Sequence, residues 1–172
     1  MASLMENLIE VIEQEGIEYE GLLSLSQKKT PIIVSGDLEA LQKITDDEQE
    51  SVSRISHLEK KRTEVTADIA NVLNRDVTKL KLRNMIDMLA ARPAEQQRLA
   101  AAHDRLQSAV HELQRTNEQN KDLLGNALEM VEFEMNLLQA SKAAPETANY
   151  TRSAYNTGDT MGVAGGGFDA KQ

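Results

Sequence analysis

The sequence predicts an all-α fold: an elongated antiparallel helical bundle or coiled coil with long helices, followed by a disordered C-terminal tail. Apolar residues recur at helical spacing through most of the chain. Aromatic residues make up only 3% of the 172 residues, and tryptophan is absent. Leu, Ile, Val, Met and Ala must therefore fill the core, as they do in narrow helix-on-helix seams.

The first helix is predicted from Ser3 to Lys29. Its apolar stripe is interrupted at Glu15, and two glycines follow, so this helix needs tertiary support. Thr30-Pro31 disfavours helical backbone at Thr30, which predicts a break there. Residues 32–34 are then either a short extended piece or, as we prefer, a loop tucked onto the bundle. The stripe consists of Met5, Leu8, Ile9, Ile12, Tyr19, Leu22 and Leu23.

A second helix is predicted from Asp37 to Leu73, where apolar residues follow a clear seven-residue repeat. Ser35-Gly36-Asp37 supplies the capping side chain at its start. At 1.5 Å per residue the helix is about 55 Å long, which implies a rod-like bundle or coiled coil. One seam carries Leu41, Glu48, Ile55, Arg62 and Ile69, and the other carries Ile44, Ser51, Leu58, Val65 and Val72.

Two further helices complete the predicted helical domain, residues 1–142. A short helix begins at Asp76 and ends at Leu89, and the last runs from Pro93 to about Ser141, because proline suits a first helical turn. Gly125 inside the last helix indicates either a bend or a close approach of another helix. The last seam carries Leu99, Ala102, Leu106, Val110, Leu113, Asn117, Asn120, Leu124, Ala127, Val131 and Leu138.

Residues 143–172 form a predicted flexible tail. They hold five of the nine glycines and too few large apolar residues to offset the entropy of ordering, so we expect this segment to be disordered when unbound. Tyr150, Tyr155 and Phe168 nevertheless lie there. Aromatic anchors in a flexible segment are typical of a motif that folds on binding, although chance placement explains them equally well.

Charge and composition exclude several function classes. The net charge of −9 argues against nucleic acid, whose phosphates need clustered Lys and Arg, and against an anionic membrane surface. No apolar run approaches the length of about 20 residues that spans a bilayer, so we expect no stable membrane insertion. The acidic N-terminus is unlike a signal peptide, and the absence of cysteine fits a reducing compartment. We therefore expect a cytoplasmic protein.

No pattern in the sequence indicates catalysis, a metal or a cofactor. The three histidines, His57, His103 and His111, lack the glutamate three residues earlier that a di-iron bundle requires. The stretch from His111 to Arg115 begins like a zinc-protease helix, but the arginine stands where the second histidine should be. We expect a protein that is not an enzyme and that has no cofactor.

Four polar residues lie at inward positions of the predicted seams: Glu48, Arg62, Asn117 and Asn120. One interpretation is that they fix the register between helices, as buried polar residues do in coiled coils. The other is that the bundle is loosely closed there and presents them to a partner.

The last helix also carries more apolar surface than one seam can use. Between Leu123 and Leu138 the apolar residues cover more than one narrow stripe. They are either buried under the first helix or form an open face that repacks against a partner's amphipathic helix. The candidate partner-binding residues are Asn117, Asn120, Leu123, Leu124, Ala127, Leu128, Val131, Met135, Tyr150 and Tyr155.

Several segments together resemble the FlgN-type flagellar export chaperones over essentially the whole chain. The first helix and its Pro-containing break are followed by Gly-Asp-Leu-Glu-Ala-Leu-Gln-Lys-Ile at 36–44, which leads to Glu48 and then to Arg62 two heptads on. Asn117-x-x-Asn120-x-x-Leu-Leu follows late in the last helix, and Tyr-Asn-Thr-Gly at 155–158 lies in the tail. Each motif alone is weak, and their order and spacing carry the resemblance.

The resemblance implies a small helical chaperone of the bacterial cytoplasm. Such proteins bind the helical C-terminal segments of hook–filament junction proteins, keep them from assembling early and deliver them to the flagellar type III export apparatus, including its export gate and ATPase complex. The alternative from the heptads alone is a structural coiled-coil scaffold that self-associates. The sequence leaves open whether the free chain is a monomer or a homodimer.

Overall fold

The computed structural model describes residues 2–143, and over that range the chain is all-α, as predicted. It contains four α-helices: α1 (Ala2–Ser35), α2 (Leu38–Leu73), α3 (Leu82–Met88) and α4 (Pro93–Ala143). A 3₁₀ turn at Val77–Lys79 joins α2 to α3, and no strand occurs among these residues. The predicted tail lies outside the described residues.

The chain divides into two compact units, residues 1–132 and residues 133–172. The first contains α1, α2, α3 and most of α4, together with both hydrophobic clusters. Of the second unit the structure describes residues 133–143, the final turns of α4. The predicted boundary at residue 142 stays a prediction.

Helix α1 does not break at Thr30-Pro31, so that prediction was wrong. The helix continues to Ser35 with Pro31 inside it, and residues 32–34 form its last turn rather than a loop. Proline in a helix interior costs about 3 kcal/mol because it loses an N–H and clashes with the preceding turn. Burial of Ile33 and a 2.6 Å hydrogen bond from the Thr30 hydroxyl to the Asn120 side-chain oxygen offset that cost.

The turn between α1 and α2 is set by a glycine and an aspartate. Gly36 adopts a φ of 70°, a left-handed conformation that glycine tolerates, and its N–H donates to the Ile32 carbonyl over 3.1 Å. The Asp37 carboxylate accepts a 3.0 Å hydrogen bond from the Ala40 N–H and caps α2, as predicted. At the other end of α2, Asn74 adopts a φ of 51° and closes the helix.

The predicted helix from Asp76 to Leu89 is shorter than expected. Asp76 accepts a hydrogen bond from the Thr78 N–H and caps only the 3₁₀ turn, and α3 starts later, at Leu82. The segment nevertheless packs as the pattern indicated, since Leu80, Met85 and Leu89 are buried. These side chains close one end of the first unit against α1, α2 and α4.

Helices α1 and α2 run antiparallel, and polar pairs lie along their seam. Lys29 near the end of α1 forms a 2.6 Å ion pair with Glu48 near the start of α2, while Glu15 lies beside Arg62 further along α2. Five of the ten predicted seam positions of α2 are buried and four are half-buried, whereas Val72 in the last turn is exposed. Buried seam residues of α2 are Ile44, Ser51, Ile55, Val65 and Ile69.

Helix α4 runs parallel to α1 within the first unit. Arg98 pairs with Glu6 over 2.6 Å, and Arg105 pairs with Glu20 further along both helices. These exposed arginine–carboxylate pairs flank an apolar interface that includes the fully buried Leu99. Within residues 1–132 the helices α1, α2 and α4 therefore follow an up-down-up path.

Glu15 is a fully buried carboxylate in the seam between α1 and α2. The Arg62 Nε lies 3.0 Å from its Oε1, yet neither carboxylate oxygen nor that Nε has a partner in hydrogen-bonding geometry. Burial raises the pKa of Glu15; the Arg62 charge opposes that shift, and the Glu59 charge adds to it. Tyr19, whose hydroxyl donates to Glu59 over 2.8 Å, has its pKa raised to about 12, chiefly by burial.

Candidate functional site

The candidate site begins where α4 passes its last polar contacts with α1. The Ser26 hydroxyl donates to the Asn117 side-chain oxygen, and the Thr30 hydroxyl donates to that of Asn120, each over 2.6 Å. Because α1 ends at Ser35, five residues beyond Thr30, its last residue lies level with about residue 125 of the parallel helix α4. Within the first unit, residues 126–132 of α4 therefore extend past the end of α1.

Large apolar side chains of α4 are exposed after this point. In the first unit these residues are Leu128, Met130 and Val131, and in the second unit Phe133, Met135, Leu137 and Leu138. Each is more than half exposed. Exposed large apolar side chains in such number are typical of a protein-interaction site.

The exposed apolar residues surround the helix rather than forming one stripe. At 100° per residue, Leu128 and Val131 in the first unit lie toward one side of α4 and Met130 lies toward the opposite side; within the second unit, Phe133 and Leu137 share one side and Met135 lies on the other. A soluble helix that is apolar all round is normally buried. This part of α4 therefore has the composition of a helix that is enclosed from more than one side.

The structure places the predicted partner-binding leucines at the start of this surface. Leu123 and Leu124 are half-buried, and Ala127, Leu128 and Val131 are exposed. Met135 is exposed in the second unit. Tyr150 and Tyr155 lie outside the described residues, and their role stays a prediction.

Asn120 is not accessible as the helices stand. It is buried, and its Nδ2 donates to the Ser26 carbonyl over 2.8 Å while its Oδ1 accepts from Thr30. Asn117 is exposed but accepts from Ser26. Both side chains thus bind α1, which matches the interpretation that seam polar residues fix helix register. Both residues also line the groove between α4 and the α1–α2 pair, and their role in binding a partner stays a prediction.

A groove lies beside the leucines, between α4 and the α1–α2 pair. Its volume is about 620 Å³, and Leu22, Val52, Leu124 and Leu128 supply most of its apolar wall. Three charged side chains, those of Lys29, Glu48 and Lys121, also line it. Lys29 and Glu48 neutralise each other through their ion pair.

Sequence patterns missed the α1 and α2 contributions to this groove. Leu22 was assigned to the core stripe, and its buried side chain still forms part of the groove wall. Val52 lies one position after the seam residue Ser51 and is 52% exposed. An apolar residue outside the heptad seam is the feature of the sequence that could have indicated its place in the groove. Lys121 carried no signal, since a lone lysine on a helix is ordinarily solvated.

Among the residues that the structure describes, no three or more His, Asp or Glu side chains converge in a way that would hold a metal ion. Within residues 2–143 no helix is both long enough and apolar enough to cross a membrane. The groove of the first unit has an apolar wall formed by Leu22, Val52, Leu124 and Leu128, a composition that suits the apolar face of a protein partner.

The family model described as FlgN protein matches residues 1–158, which is most of the chain and includes all of the groove. Neither the curated proteins nor the solved structures contain a match.

Proposed function

Because the chain belongs to the FlgN protein family, we propose that it is a cytoplasmic flagellar export chaperone for hook–filament junction proteins. It binds the helical C-terminal segments of these subunits, prevents their premature assembly and delivers them to the type III export apparatus. The observation that carries this proposal is the exposed apolar end of α4, which its own bundle does not cover.

The chemistry of the surface suits a client helix that must not associate with other copies of its own subunit before export. A subunit terminus that later polymerises through apolar contacts would aggregate early unless another protein covered it. Leu124, Ala127, Leu128 and Val131 offer apolar side chains to such a helix, and the exposed Met135 of the second unit has a flexible side chain of the kind that adapts to different sequences.

Delivery requires that the complex also comes apart. Ordering the tail with Tyr150 and Tyr155 on binding would cost entropy, so part of the gross interaction energy would be lost and the affinity would stay moderate. The export gate and the components of the ATPase complex are the partners that would receive the loaded chaperone. Binding, delivery and release of a client require no catalysis by the chain itself.

The experiment is a binding assay between the full-length chain and a purified full-length hook–filament junction protein, by size exclusion with light scattering at micromolar concentration. The wild type should form a one-to-one complex. The double variant Leu128→Ser/Val131→Ser should lose it while keeping its helical circular dichroism, since both side chains are more than half exposed. Ile17→Ser/Val72→Ser removes similarly exposed apolar groups elsewhere and should bind normally.

Two results would count against the proposal: separate migration of the two wild-type proteins, or equal binding by both double variants. A structural coiled-coil scaffold is the second candidate, because an apolar helix end also suits self-association. In that case the free chain alone would form an oligomer whose mass rises with concentration. A constant mass for the free chain, with complex formation only on adding the junction protein, favours the chaperone.

A further inference from the structure

Gly125 has no explanation within the described fold. It lies in the interior of α4, where glycine is less favourable than alanine because of its backbone entropy. Its φ is an ordinary negative one, unlike that of Gly36. A Cβ added at Gly125 would meet nothing within 4 Å, so no described neighbour requires the missing side chain.

Gly125 lines the groove described above, with Leu124 before it and Leu128 one turn after it. On a helix surface, residues four apart are neighbours, so Lys121 lies one turn before the glycine along the same groove. Lys121 is exposed and forms no ion pair with any residue in the described range 2–143. It is the groove's unbalanced charge, because Lys29 and Glu48 are paired with each other.

We infer that the bound partner is an amphipathic α-helix that crosses α4 in close contact at Gly125 and places an acidic side chain against Lys121. This inference rests on the proposed function and specifies the client's recognition chemistry. The missing Cβ allows the backbone of the partner to approach more closely than any other residue would permit. Leu22, Val52 and Leu128 then receive the partner's apolar face.

The charge pattern selects among amphipathic helices. A helix with a basic residue at the crossing point would meet Lys121 and be repelled, whereas an Asp or Glu there would be attracted. The rest of the groove is apolar or already paired, so it adds no further charge requirement. The expected client segment therefore has an apolar face, a carboxylate beside it and no bulky polar side chain at the point of closest approach.

The first test is Gly125→Ala in the full-length chain. Alanine should raise the thermal melting temperature, because it removes the glycine penalty in an open position. It should also weaken binding to a purified hook–filament junction protein at least about fivefold, because a Cβ overpacks the crossing. The matched control is Gly21→Ala, another exposed helical glycine with nothing within 4 Å of its Cβ, which should stabilise without changing the affinity.

The second test is Lys121→Glu, which should weaken the same complex about three- to tenfold, with a smaller effect at high salt. Lys61→Glu on α2 changes the net charge equally and should leave the affinity unchanged, since Lys61 is exposed and does not line the groove. Isothermal titration calorimetry measures all four variants.

The experiments distinguish failure of the proposed chaperone function from failure of the inferred mode of client recognition. If the wild-type chain does not bind the junction protein, both the proposed function and this inference are overturned. If the wild type binds and Gly125→Ala binds as tightly as Gly21→Ala, the chaperone function stands and the close crossing is refuted. If Lys121→Glu and Lys61→Glu bind equally, the acidic partner residue is refuted.

Discussion

The buried pair between Glu15 and Arg62 makes an asymmetric prediction about stability. Glu15 is fully buried, whereas the Arg62 side chain is 37% exposed. Removing the arginine leaves a carboxylate with no compensating charge in the seam, and Glu59 beside it adds repulsion. Removing the charge of Glu15 leaves an arginine that still reaches water.

The magnitudes follow from that difference. Arg62→Met should lower the free energy of unfolding by about 3–5 kcal/mol, the usual effect of breaking a buried pair at one partner. Glu15→Gln should change it by no more than about 1 kcal/mol, because the existing pair lacks well-oriented hydrogen bonds and the burial cost of the charge disappears. The double variant Glu15→Gln/Arg62→Met should recover most of the loss.

The pH dependence has a definite sign. The pKa of Glu15 is raised in the folded chain above its ordinary value of 4.5, so the folded state holds this proton more tightly than the unfolded state. The resulting stability is fully present below 4.5 and is lost as the pH rises through the folded value. The deficit of Arg62→Met relative to the double variant should therefore shrink between about pH 7 and about pH 5.

Urea denaturation followed by far-ultraviolet circular dichroism measures these differences. Equal destabilisation by Arg62→Met and Glu15→Gln would refute the reasoning. So would a deficit of Arg62→Met that does not shrink on acidification, because the carboxylate would then not be the group that is left without a partner.

Three other predictions concern burial, backbone conformation and the Tyr19 hydroxyl. Leu99→Ala, at a fully buried position, should cost about 2–5 kcal/mol in urea denaturation, whereas Leu128→Ala, at a position 65% exposed, should cost less than about 1 kcal/mol. Asn74 holds a left-handed φ, so Asn74→Ala should lower the free energy of unfolding by about 1 kcal/mol and reduce the melting temperature accordingly. Asn74→Gly should leave both unchanged, because glycine tolerates this conformation. Ultraviolet absorbance titration should show a tyrosine ionising at about pH 12 that is absent from Tyr19→Phe; an unchanged titration curve would contradict the burial of that hydroxyl.

The fold was largely predictable because a long seven-residue repeat of apolar residues indicates both a helix and the face of it that is buried. The seam of α2 and the stripe of α1 gave the helices and most of their buried residues. The predicted break at Pro31 is wrong because local backbone preference opposes a helix there, whereas the burial of Ile33 and the hydrogen bond from Thr30 to Asn120 favour the helical segment. A local rule cannot include a contact with α4, ninety residues away in the chain.

Polar seam residues show the same limit. Glu15 was read as an interruption of the stripe, because a single helix gives no sign that Arg62 of the antiparallel neighbour lies opposite. Asn120 was assigned both to a seam and to a partner surface, and only its hydrogen bonds to α1 distinguish these positions. The excess of apolar residues after Leu123 was visible in sequence, but the groove depends on Leu22 and Val52 from two other helices.

Methionine oxidation mapped by mass spectrometry tests most directly whether a client covers the apolar end of α4. In the free chain Met135 is 54% exposed, Met88 on α3 is 37% exposed and Met85 is buried, so mild peroxide should oxidise the first two and spare the third. Excess hook–filament junction protein should protect Met135 and leave the oxidation of Met88 unchanged. Oxidation of Met135 at the same rate in the free chain and in a demonstrated complex would contradict the account.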